Sequence, residues 1–342
     1  MRGSPALLLT AVLLTGCGGT SSGEGTEPSG QQPPSVSLAE VAGVDADVLG
    51  VASTDDGRSV VLLAPSGGPL TLADVAADGT ATAVPLPGID ADRPGLTRIA
   101  AAGDGVVVVG FAAGRVALVA AGPQGAGAPQ PVGTLGAADV AALDVTAADG
   151  VLHLALSRID GTDLLLAVDP ATGAVRAELT LPGPARDLAT TEDGGVVVAT
   201  DTGRAAVAVT ADAGLAAVTE VPLGPGAPGP LTVADGEVYT TVGGTRDLRI
   251  TRGAEVLATV PGDLPAVLVV DPAGGKATLV DTVADSEVPR VLLRTVDLAA
   301  GDVVAEVELC DSGAVDGADV DGTGRGSVVS DCRGEPTLWR FP

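Results

Sequence analysis

One short pattern recurs along this chain: an Asp-Gly pair between two apolar runs. The clearest copy is Asp149-Gly150, within Leu143–Leu156. Asp and Gly tolerate the positive φ angles of two-residue hairpin turns, so each copy predicts a β-hairpin. The copies are Asp56-Gly57, Asp104-Gly105, Asp149-Gly150, Asp193-Gly194, Asp235-Gly236, the degenerate Asp271-Pro-Ala-Gly274, and Asp321-Gly322. They recur about every 44 residues, which is the period of four-stranded repeat units.

The segments between these turns are short, rich in Val and interrupted by Gly and Pro, which argues against helical repeats of similar period. The third unit illustrates the predicted strands, Val140–Ala147, Val151–Ser157, Asp163–Val168 and Ala174–Leu181. Six such units follow one another in the chain. The fold class predicted for residues 35–342 is therefore all-β, a β-propeller with blades of four antiparallel strands.

A seventh unit supplies only three strands, Gly313–Val320, Gly326–Ser330 and Thr337–Phe341. The missing fourth strand would leave an unpaired edge, which proteins avoid. The segment Ser35–Val41 precedes the first unit, and we expect it to pair beside the last strand and close the ring. Seven blades are the favoured number, while six or eight remain alternatives.

Two units carry a further motif, strand, Asp, three residues, Gly, strand. The copies are Val168-Asp169-Pro-Ala-Thr-Gly173 and Val296-Asp297-Leu-Ala-Ala-Gly301. Together with the Asp-Gly hairpins, this motif resembles the YVTN type of bacterial surface propeller, which is broadly WD40-like. The resemblance implies a fold and no particular activity. The Gly-His and Trp-Asp signature of true WD40 repeats is absent from the sequence.

The N-terminus predicts export. Residues 1–16 read as a signal peptide with an apolar core, Ala6–Leu14, that is too short to span a bilayer. Its end, Leu14-Thr15-Gly16-Cys17, resembles the bacterial lipobox, in which the Cys is lipidated. Residues 17–34 lack large apolar side chains and predict a disordered tether. We expect a lipoprotein on the outer face of the cytoplasmic membrane; an ordinary signal peptide is the alternative.

The chain carries 44 Asp and Glu against 18 Lys and Arg, a formal net charge of −26. This acidity argues against nucleic-acid binding and against direct adhesion to anionic lipid, so membrane contact is expected through the lipid anchor alone.

Aromatic residues make up 1% of the chain. A core of Val, Leu, Ala and Ile is therefore predicted, and a sugar-binding role that needs stacked rings is disfavoured. We expect a monomeric propeller.

Three cysteines are present. With Cys17 assigned to the lipid, Cys310 and Cys332 remain, and an extracytoplasmic location permits a disulfide. Cys310 ends the fourth predicted strand of unit six, and Cys332 follows the second predicted strand of unit seven. In an up-down-up-down unit these strands finish on the same face. The sequence therefore predicts a Cys310–Cys332 disulfide that locks the closing blade.

Carboxylates are the only abundant reactive groups. Two successive units share a local string, with Asp45 and Asp47 in the first and Asp90 and Asp92 in the second. Asp139, Asp187, Asp263 and Asp316 fall in or near equivalent loops. A ring of such groups at a channel mouth predicts a Ca²⁺ site, since Ca²⁺ prefers oxygen ligands. The alternatives are a basic partner and ordinary solvated turns.

No catalytic constellation is visible. His153 is the only histidine, so His-based metal cages are excluded, and we interpret it as a side chain packed against a neighbouring blade. No nucleophile elbow, P-loop or dinucleotide fingerprint occurs. We therefore predict a protein-binding or scaffolding module for an envelope protein, without catalytic residues or a cofactor other than possible Ca²⁺. The alternative is a propeller enzyme, a metal-assisted hydrolase or lyase using carboxylates at the channel mouth.

Overall fold

The computed structural model describes residues 32–43, 46–191, 193–202, 204–211, 214–223, 226–243, 247–262, 265–283, 288–321 and 324–341. These residues form seven antiparallel sheets. The helical segments among them are short, namely α1 (Ala39–Ala42) and two 3₁₀ turns, Pro94–Leu96 and Ala137–Asp139. We number the sheets 1 to 7 in chain order and call the first strand of each sheet its inner strand.

The first three sheets each use one continuous stretch of chain. Sheet 1 contains β2 (Asp47–Ser53), β3 (Ser59–Ala64), β4 (Thr71–Val75) and β5 (Ala81–Pro85). Sheet 2 contains β6 (Arg98–Ala102), β7 (Gly105–Ala112), β8 (Arg115–Gly122), a short β9 (Gly125–Ala126) beside β8, and β10 (Gln130–Gly136). Sheet 3 contains β11 (Val140–Ala148), β12 (Val151–Arg158), β13 (Asp163–Val168) and β14 (Val175–Thr180).

The next three sheets repeat this pattern. Sheet 4 contains β15 (Ala185–Thr190), β16 (Val196–Thr200), β17 (Arg204–Ala211) and β18 (Gly214–Pro222). Sheet 5 contains β19 (Ala227–Ala234), β20 (Glu237–Gly243), β21 (Asp247–Arg252) and β22 (Glu255–Pro261). Sheet 6 contains β23 (Pro265–Asp271), β24 (Lys276–Val283), β25 (Arg290–Asp297) and β26 (Asp302–Cys310). The prediction of four-stranded antiparallel blades is confirmed, with β9 as an additional two-residue strand in sheet 2.

Sheet 7 is composite. Its strands β27 (Val315–Val320), β28 (Gly326–Cys332) and β29 (Glu335–Phe341) come from the C-terminal end of the described chain, and β1 (Ser35–Ser37) completes it. β1 pairs antiparallel with β29, so Ser35 lies opposite Trp339. The predicted pairing of the N-terminal segment with the last strand is confirmed.

The extent of that closing strand differs from the prediction. Only three residues pair, because Leu38 turns its side chain into the core, where it is fully buried, and its N–H donates to Pro336 O at 2.8 Å. The chain then forms α1 instead of continuing the strand to Val41. The helix contacts β29 and the outer strands of sheet 1, so it bridges the two sheets that meet at the ring closure.

Seven apolar clusters hold the sheets together, one between each pair of successive sheets. Leu62 and Val108 belong to the cluster between sheets 1 and 2. The last cluster returns to the start, because Leu338 of sheet 7 packs with Val61 of sheet 1. The second strand of a sheet packs on both faces, which explains continuous apolar runs such as Val106–Val109 in place of alternation. Burial of these runs is the main stabilising term of the fold.

Arg340 of β29 reinforces the contact between sheets 7 and 1. Its Nε donates to Ser59 Oγ at 2.9 Å and its Nη1 donates to Ala76 O at 2.7 Å. Loss of solvation lowers the pKa of this half-buried guanidinium, and the nearby Asp78 opposes that effect. The ring closure therefore combines strand pairing, apolar packing and a half-buried cation with backbone partners.

A β-bulge near the start of the inner strand recurs in most sheets. The register with the second strand shifts after Val48 in sheet 1 and after Val140 in sheet 3, and sheets 4, 5, 6 and 7 show equivalent shifts. Bulges redirect side chains and often lie beside functional sites. Here they set which inner-strand side chains reach the centre of the ring. No helix in the described part of the chain is long and apolar enough to cross a membrane.

Candidate functional site

A cavity of about 790 Å³ lies at the centre of the ring. Its wall comes from the inner strands of sheets 1, 2, 3, 4 and 7 and from the turns that follow them. The size is within the range of small-ligand sites. The wall is acidic, with seven aspartates, namely Asp55, Asp144, Asp149, Asp187, Asp316, Asp319 and Asp321.

Four of these aspartates lie on inner strands, and Asp316 falls within the bulge of sheet 7. We call the three that lie beyond a bulge the channel aspartates: Asp144, Asp187 and Asp319. Asp187 is the first paired residue after the bulge of sheet 4. Asp144 and Asp319 lie two residues beyond that position in sheets 3 and 7. Because side chains alternate along a strand, these positions put all three carboxylates on the same side of their strands.

Two channel aspartates are held by the next sheet around the ring. Asp319 Oδ2 accepts a hydrogen bond from Ser53 N at 2.6 Å, which joins sheet 7 to sheet 1. Asp187 Oδ2 accepts one from Leu231 N at 2.6 Å, which joins sheet 4 to sheet 5. These N–H groups belong to inner strands, so the carboxylates both link neighbouring sheets and stay fixed in the cavity wall.

Enclosure by protein dominates the electrostatics of the channel. Loss of solvation raises the pKa of Asp187 to about 8, the charge of Asp144 adds to this, and the Leu231 N–H opposes it. Loss of solvation likewise raises the pKa of Asp319 to about 7, against the effect of the Ser53 N–H. The charge of Asp319 also contributes to the pKa of Asp187, which shows that the two share one environment.

Asp144 differs because a cation is close. Enclosure raises its pKa to about 6, while the Val145 N–H and the Arg98 guanidinium oppose the rise. Arg98 Nη1 donates to Gly95 O at 2.9 Å and to Thr97 O at 3.0 Å, so the guanidinium is fixed beside the channel. Positive charge is therefore already supplied near Asp144.

The repeat aspartates form a second acidic feature, which we call the turn ring. Six of the seven turns between an inner strand and its second strand contain one, and in sheet 6 the Asp is the last residue of the inner strand: Asp56, Asp104, Asp149, Asp193, Asp235, Asp271 and Asp321. Six are exposed and Asp321 is buried. Since Asp149 and Asp321 line the cavity, the turn ring lies at the cavity mouth.

Two of the Asp-Gly pairs form the predicted two-residue hairpin turn. Asp149 and Gly150 have φ of 49° and 71°, and Asp235 and Gly236 have φ of 51° and 74°. In both, the flanking strand residues pair directly, so these are two-residue turns with both φ angles positive.

Two other copies build a larger turn. Thr54 Oγ1 donates to Asp56 Oδ1, and Thr191 Oγ1 donates in the same way to Asp193 Oδ1. Thr54 N donates to Arg58 O at 2.9 Å and closes the first of these turns. The Asp side chain therefore has a local structural role in addition to its charge.

The predicted calcium ligands lie elsewhere. Asp45 is outside the described residues, and Asp47, Asp90 and Asp92 are exposed. None of these three lines the central cavity. Asp90 is held in its loop by its backbone N–H, which donates to Phe111 O at 2.7 Å. Whether this loop set binds a cation stays a prediction.

Of the aspartates placed in equivalent loops by the sequence, Asp187 and Asp316 do line the cavity. Asp139 does not, and Asp263 is outside the described residues. Within the described part of the chain, one trio of potential metal-binding atoms lies within 4.8 Å of one another, in Cys310, Asp311 and Cys332. Because its two sulfurs are bonded to each other, this trio offers no thiolate ligands.

The predicted disulfide is present between Cys310 and Cys332, with a Cα–Cα distance of 5.7 Å. It joins the end of β26 in sheet 6 to the end of β28 in sheet 7. Beside it, Arg333 Nε donates to Asp311 Oδ1 at 2.7 Å. The covalent link therefore lies where the composite closing sheet meets its neighbour. Cys17 is outside the described residues.

His153 is fully buried in β12, as the interpretation of a packed side chain requires. Neither ring nitrogen has a hydrogen-bond partner among the described residues. Loss of solvation lowers its pKa to about 4. The ring is therefore a neutral part of the core at ordinary pH and does not itself line the cavity.

No known protein-family model matches the chain, and no curated protein matches it at a significant level. Solved structures do. The chain is similar to the WD40 β-propeller domain of Doa1, with 13% identity and a TM-score of 0.58 over 91% of this chain and 97% of that one. It is also similar to a chain of the Mitotic Checkpoint Complex, with 13% identity and a TM-score of 0.60 over 98% and 99% of the two chains. These similarities establish a WD40-like β-propeller fold.

Asp144 and Asp319 lie inside strands that the sequence predicts, yet no motif assigns them a role. The sequence does contain a signal that marks these two positions. Asp is depleted in strands, and here it stands between apolar neighbours, as in Leu143-Asp144-Val145 and Ala318-Asp319-Val320. Such local conflicts between residue and element mark strained or functional positions.

Proposed function

We propose that this protein is a lipid-anchored, extracytoplasmic β-propeller that binds a protein partner with a basic surface. The observation that carries the proposal is the turn ring. Seven aspartates, each in or beside the turn that follows an inner strand, lie at the same end of their sheets, and the chain as a whole has a net charge of −26. Such a surface attracts and orients a partner of opposite charge, chiefly by raising the association rate.

A ring of seven blades is part of the proposal. Its support is the cyclic order of contacts, because each inner strand packs against the next and β27 packs against β2. Six sheets are self-contained and the seventh is composite, so the ring depends on β1 for closure. A closed ring offers a rigid surface, which lowers the entropic cost of binding.

The anchor rests on the sequence, through Leu14-Thr15-Gly16-Cys17 and the tether that follows. The tether meets the propeller at its outer surface, where Gln32 Nε2 donates to Leu309 O in sheet 6 at 3.3 Å and Pro34 O accepts from Arg340 N in sheet 7 at 3.2 Å. The chain therefore enters the propeller between sheets 6 and 7. A Cys17→Ser variant is expected to move from the membrane fraction to the soluble extracytoplasmic fraction.

The enzyme alternative has weaker support. A metal-assisted hydrolase or lyase needs carboxylate oxygens that converge on one ion. In the described part of the chain, no three carboxylates have oxygens that all lie within 4.8 Å of one another. The channel aspartates, with raised pKa values, are suited to holding protons, but the hydrogen bonds of Asp187 and Asp319 come from backbone N–H groups and not from a side chain that could act as a nucleophile. Binding is therefore the function that the geometry supports best.

Photo-crosslinking in intact cells tests the proposal. A photoreactive residue at position 104 should capture a basic envelope protein, whereas the same residue at position 90, at the opposite end of the inner strands, should not. The triple variant Asp104→Asn/Asp149→Asn/Asp235→Asn should lose the captured partner. A control with the same charge change, Asp90→Asn/Asp92→Asn/Asp139→Asn, should keep it. Equal capture by both triple variants would contradict the proposal.

A further inference from the structure

The outer strand of the composite sheet differs from those of the other sheets. β1 contains three residues, whereas the last strand of each other sheet contains five to nine. Those strands are β5, β10, β14, β18, β22 and β26. β1 also directly continues the N-terminal tether, because Pro34 O already accepts a hydrogen bond from Arg340 N of β29. The shortest of these strands is therefore the one that receives any pull on the tether.

The register of β1 on β29 decides how such a pull acts. Ser35, at the start of β1, lies opposite Trp339. A pull directed away from sheet 7 therefore loads the bond from Arg340 N to Pro34 O first and the bond donated by Leu38 N last. The bonds of an antiparallel pair lie across the strands, so they are loaded one after another and β1 unzips from β29.

Few other contacts hold this segment. Leu38 is fully buried in the apolar cluster between sheets 7 and 1, and Val36 packs half-buried against the same cluster. Gln32 Nε2 adds one hydrogen bond to Leu309 O at 3.3 Å. The four-residue helix α1 follows and contacts β29 and the outer strands of sheet 1. Leu38 is therefore the main apolar side chain that retains the segment.

The rest of sheet 7 has links of its own to both neighbours. The Cys310–Cys332 disulfide joins it to sheet 6, and the Arg340 side chain donates to Ser59 Oγ in sheet 1. Neither link uses a residue between 32 and 43. The three C-terminal strands therefore stay attached when β1 leaves, and the edge of β29 becomes open to pairing with another strand.

We propose that residues 32–43, comprising the end of the tether, β1 and α1, form a releasable strap that tension on the tether unzips from sheet 7 before any other sheet unfolds. Release exposes the edge of β29 and the site that Leu38 occupied, and relaxation of the tension restores the closed ring. The detachment goes beyond the proposed function, although its use in the cell rests on the proposed lipid anchor and partner, which supply the two ends of the pull.

Optical tweezers test the strap on the full chain, produced without the lipid. One handle is attached at Cys17 and the other at a cysteine that replaces Asp104 in the turn ring. Release of the strap should lengthen the molecule by a step of at most about 40 Å, the extended length of its residues. The step should occur at lower force than unfolding of the remaining sheets and should reverse when the force is relaxed.

Variants assign this step to the strap. Leu38→Ala should lower the force of the first step and leave the later unfolding force unchanged. Leu188→Ala, a matched substitution in the apolar cluster between sheets 3 and 4, should do the reverse. Ser37 lies opposite Thr337, so a Ser37→Cys/Thr337→Cys disulfide, formed before the handles are attached, should abolish the first step.

Three results would overturn the proposal: unfolding that begins without an early step of this size, an early step that Leu38→Ala leaves unchanged, or an early step that persists in the disulfide variant. The disulfide variant keeps the test decisive if Leu38→Ala does not fold. Since the tweezers experiment needs neither lipid nor partner, the strap can fail while the anchor and the partner hold, and the reverse is equally visible.

Discussion

The same residue type behaves in opposite ways in two regions of this propeller. In the channel, enclosure by protein raises the pKa of Asp187 to about 8 and that of Asp319 to about 7. In the turns, the pKa of Asp169 is lowered by Arg176 and by backbone N–H groups, and that of Asp193 by the Thr191 hydroxyl. The channel therefore favours protonated carboxyls, whereas the turns carry permanent negative charge. Net charge alone does not distinguish these populations.

The two populations affect stability with opposite pH dependence. A carboxyl whose pKa is raised by folding stabilises the fold fully below its unfolded pKa, and this contribution is lost as the pH rises through its folded pKa. A carboxyl whose pKa is lowered contributes above its unfolded pKa and loses that contribution as the pH falls. The channel should therefore weaken the protein towards pH 8, and the turns should weaken it only in acid.

The largest expected effect comes from removing the channel charges together. The variant Asp144→Asn/Asp187→Asn/Asp319→Asn should be more stable than the wild type at pH 8, by on the order of 5 kcal/mol, after allowance for water that reaches these half-buried groups. The difference should shrink as the pH falls towards 4. Urea denaturation across this pH range measures it, and a pH-independent difference would show that folding does not raise the pKa values of the channel carboxyls.

The second largest loss of stability is expected from removing the disulfide at the ring closure, and it should not depend on pH. Loss of the Cys310–Cys332 bond, which closes a loop with a sequence separation of 22, should destabilise the fold by about 3 kcal/mol on the chain-entropy model. Cys310→Ser/Cys332→Ser should lower the melting temperature equally at pH 5 and pH 8. An unchanged melting curve would mean that strand pairing and packing alone secure the closing sheet.

His153 is a buried titratable residue that should weaken the fold in acid, whereas the channel aspartates should weaken it at high pH. Its pKa is lowered to about 4, so the neutral ring stabilises the fold above the unfolded pKa of 6.5 and this contribution is lost as the pH falls from there towards 4. The loss should reach about 3 kcal/mol at pH 4. His153→Leu should remove this part of the acid sensitivity while leaving the channel dependence at high pH. Identical acid profiles for the two proteins would rule out the buried neutral histidine.

The smallest effect is expected at the exposed turns. Asp169→Asn removes a carboxylate that pairs with Arg176 on the surface. Exposed ion pairs contribute little because water and salt screen them. Thermal melts of this variant at neutral pH should overlay those of the wild type, and a shift comparable to the channel variant would erase the distinction between the two regions.

Much of the fold follows from local sequence chemistry. The Asp-Gly pairs predict hairpins because both residues accept positive φ, and Asp149-Gly150 adopts those angles. The last unit supplies only three strands, which predicts that the N-terminal segment adds the fourth. The structure agrees, because Ser35 pairs with Trp339. The cysteine pairing follows from where strands end. The length of β1 could not be predicted from local sequence, since it depends on how Leu38 enters the core.

The candidate site was much less accessible to the sequence. The shared string predicts equivalent positions for Asp47 and Asp92, but Asp47 is the first residue of β2, whereas Asp92 precedes the 3₁₀ turn before β6. Proximity to a cavity depends on how the sheets twist and where bulges fall. Asp187 reaches the channel because a bulge precedes it in β15. The partners of the channel aspartates, such as Leu231 N, come from another sheet, and no local pattern in the sequence predicts contacts of that kind.

The measurement that tests the central claim most directly is a pH titration of the Asp carboxyl carbons by NMR, assigned through the three channel variants. The account predicts that Asp144, Asp187 and Asp319 titrate near pH 6, 8 and 7, while turn aspartates such as Asp169 titrate below the ordinary range. If all three channel carboxyls titrate below about pH 5, like solvated aspartates, the channel is not a protein-enclosed acidic site and the account is wrong.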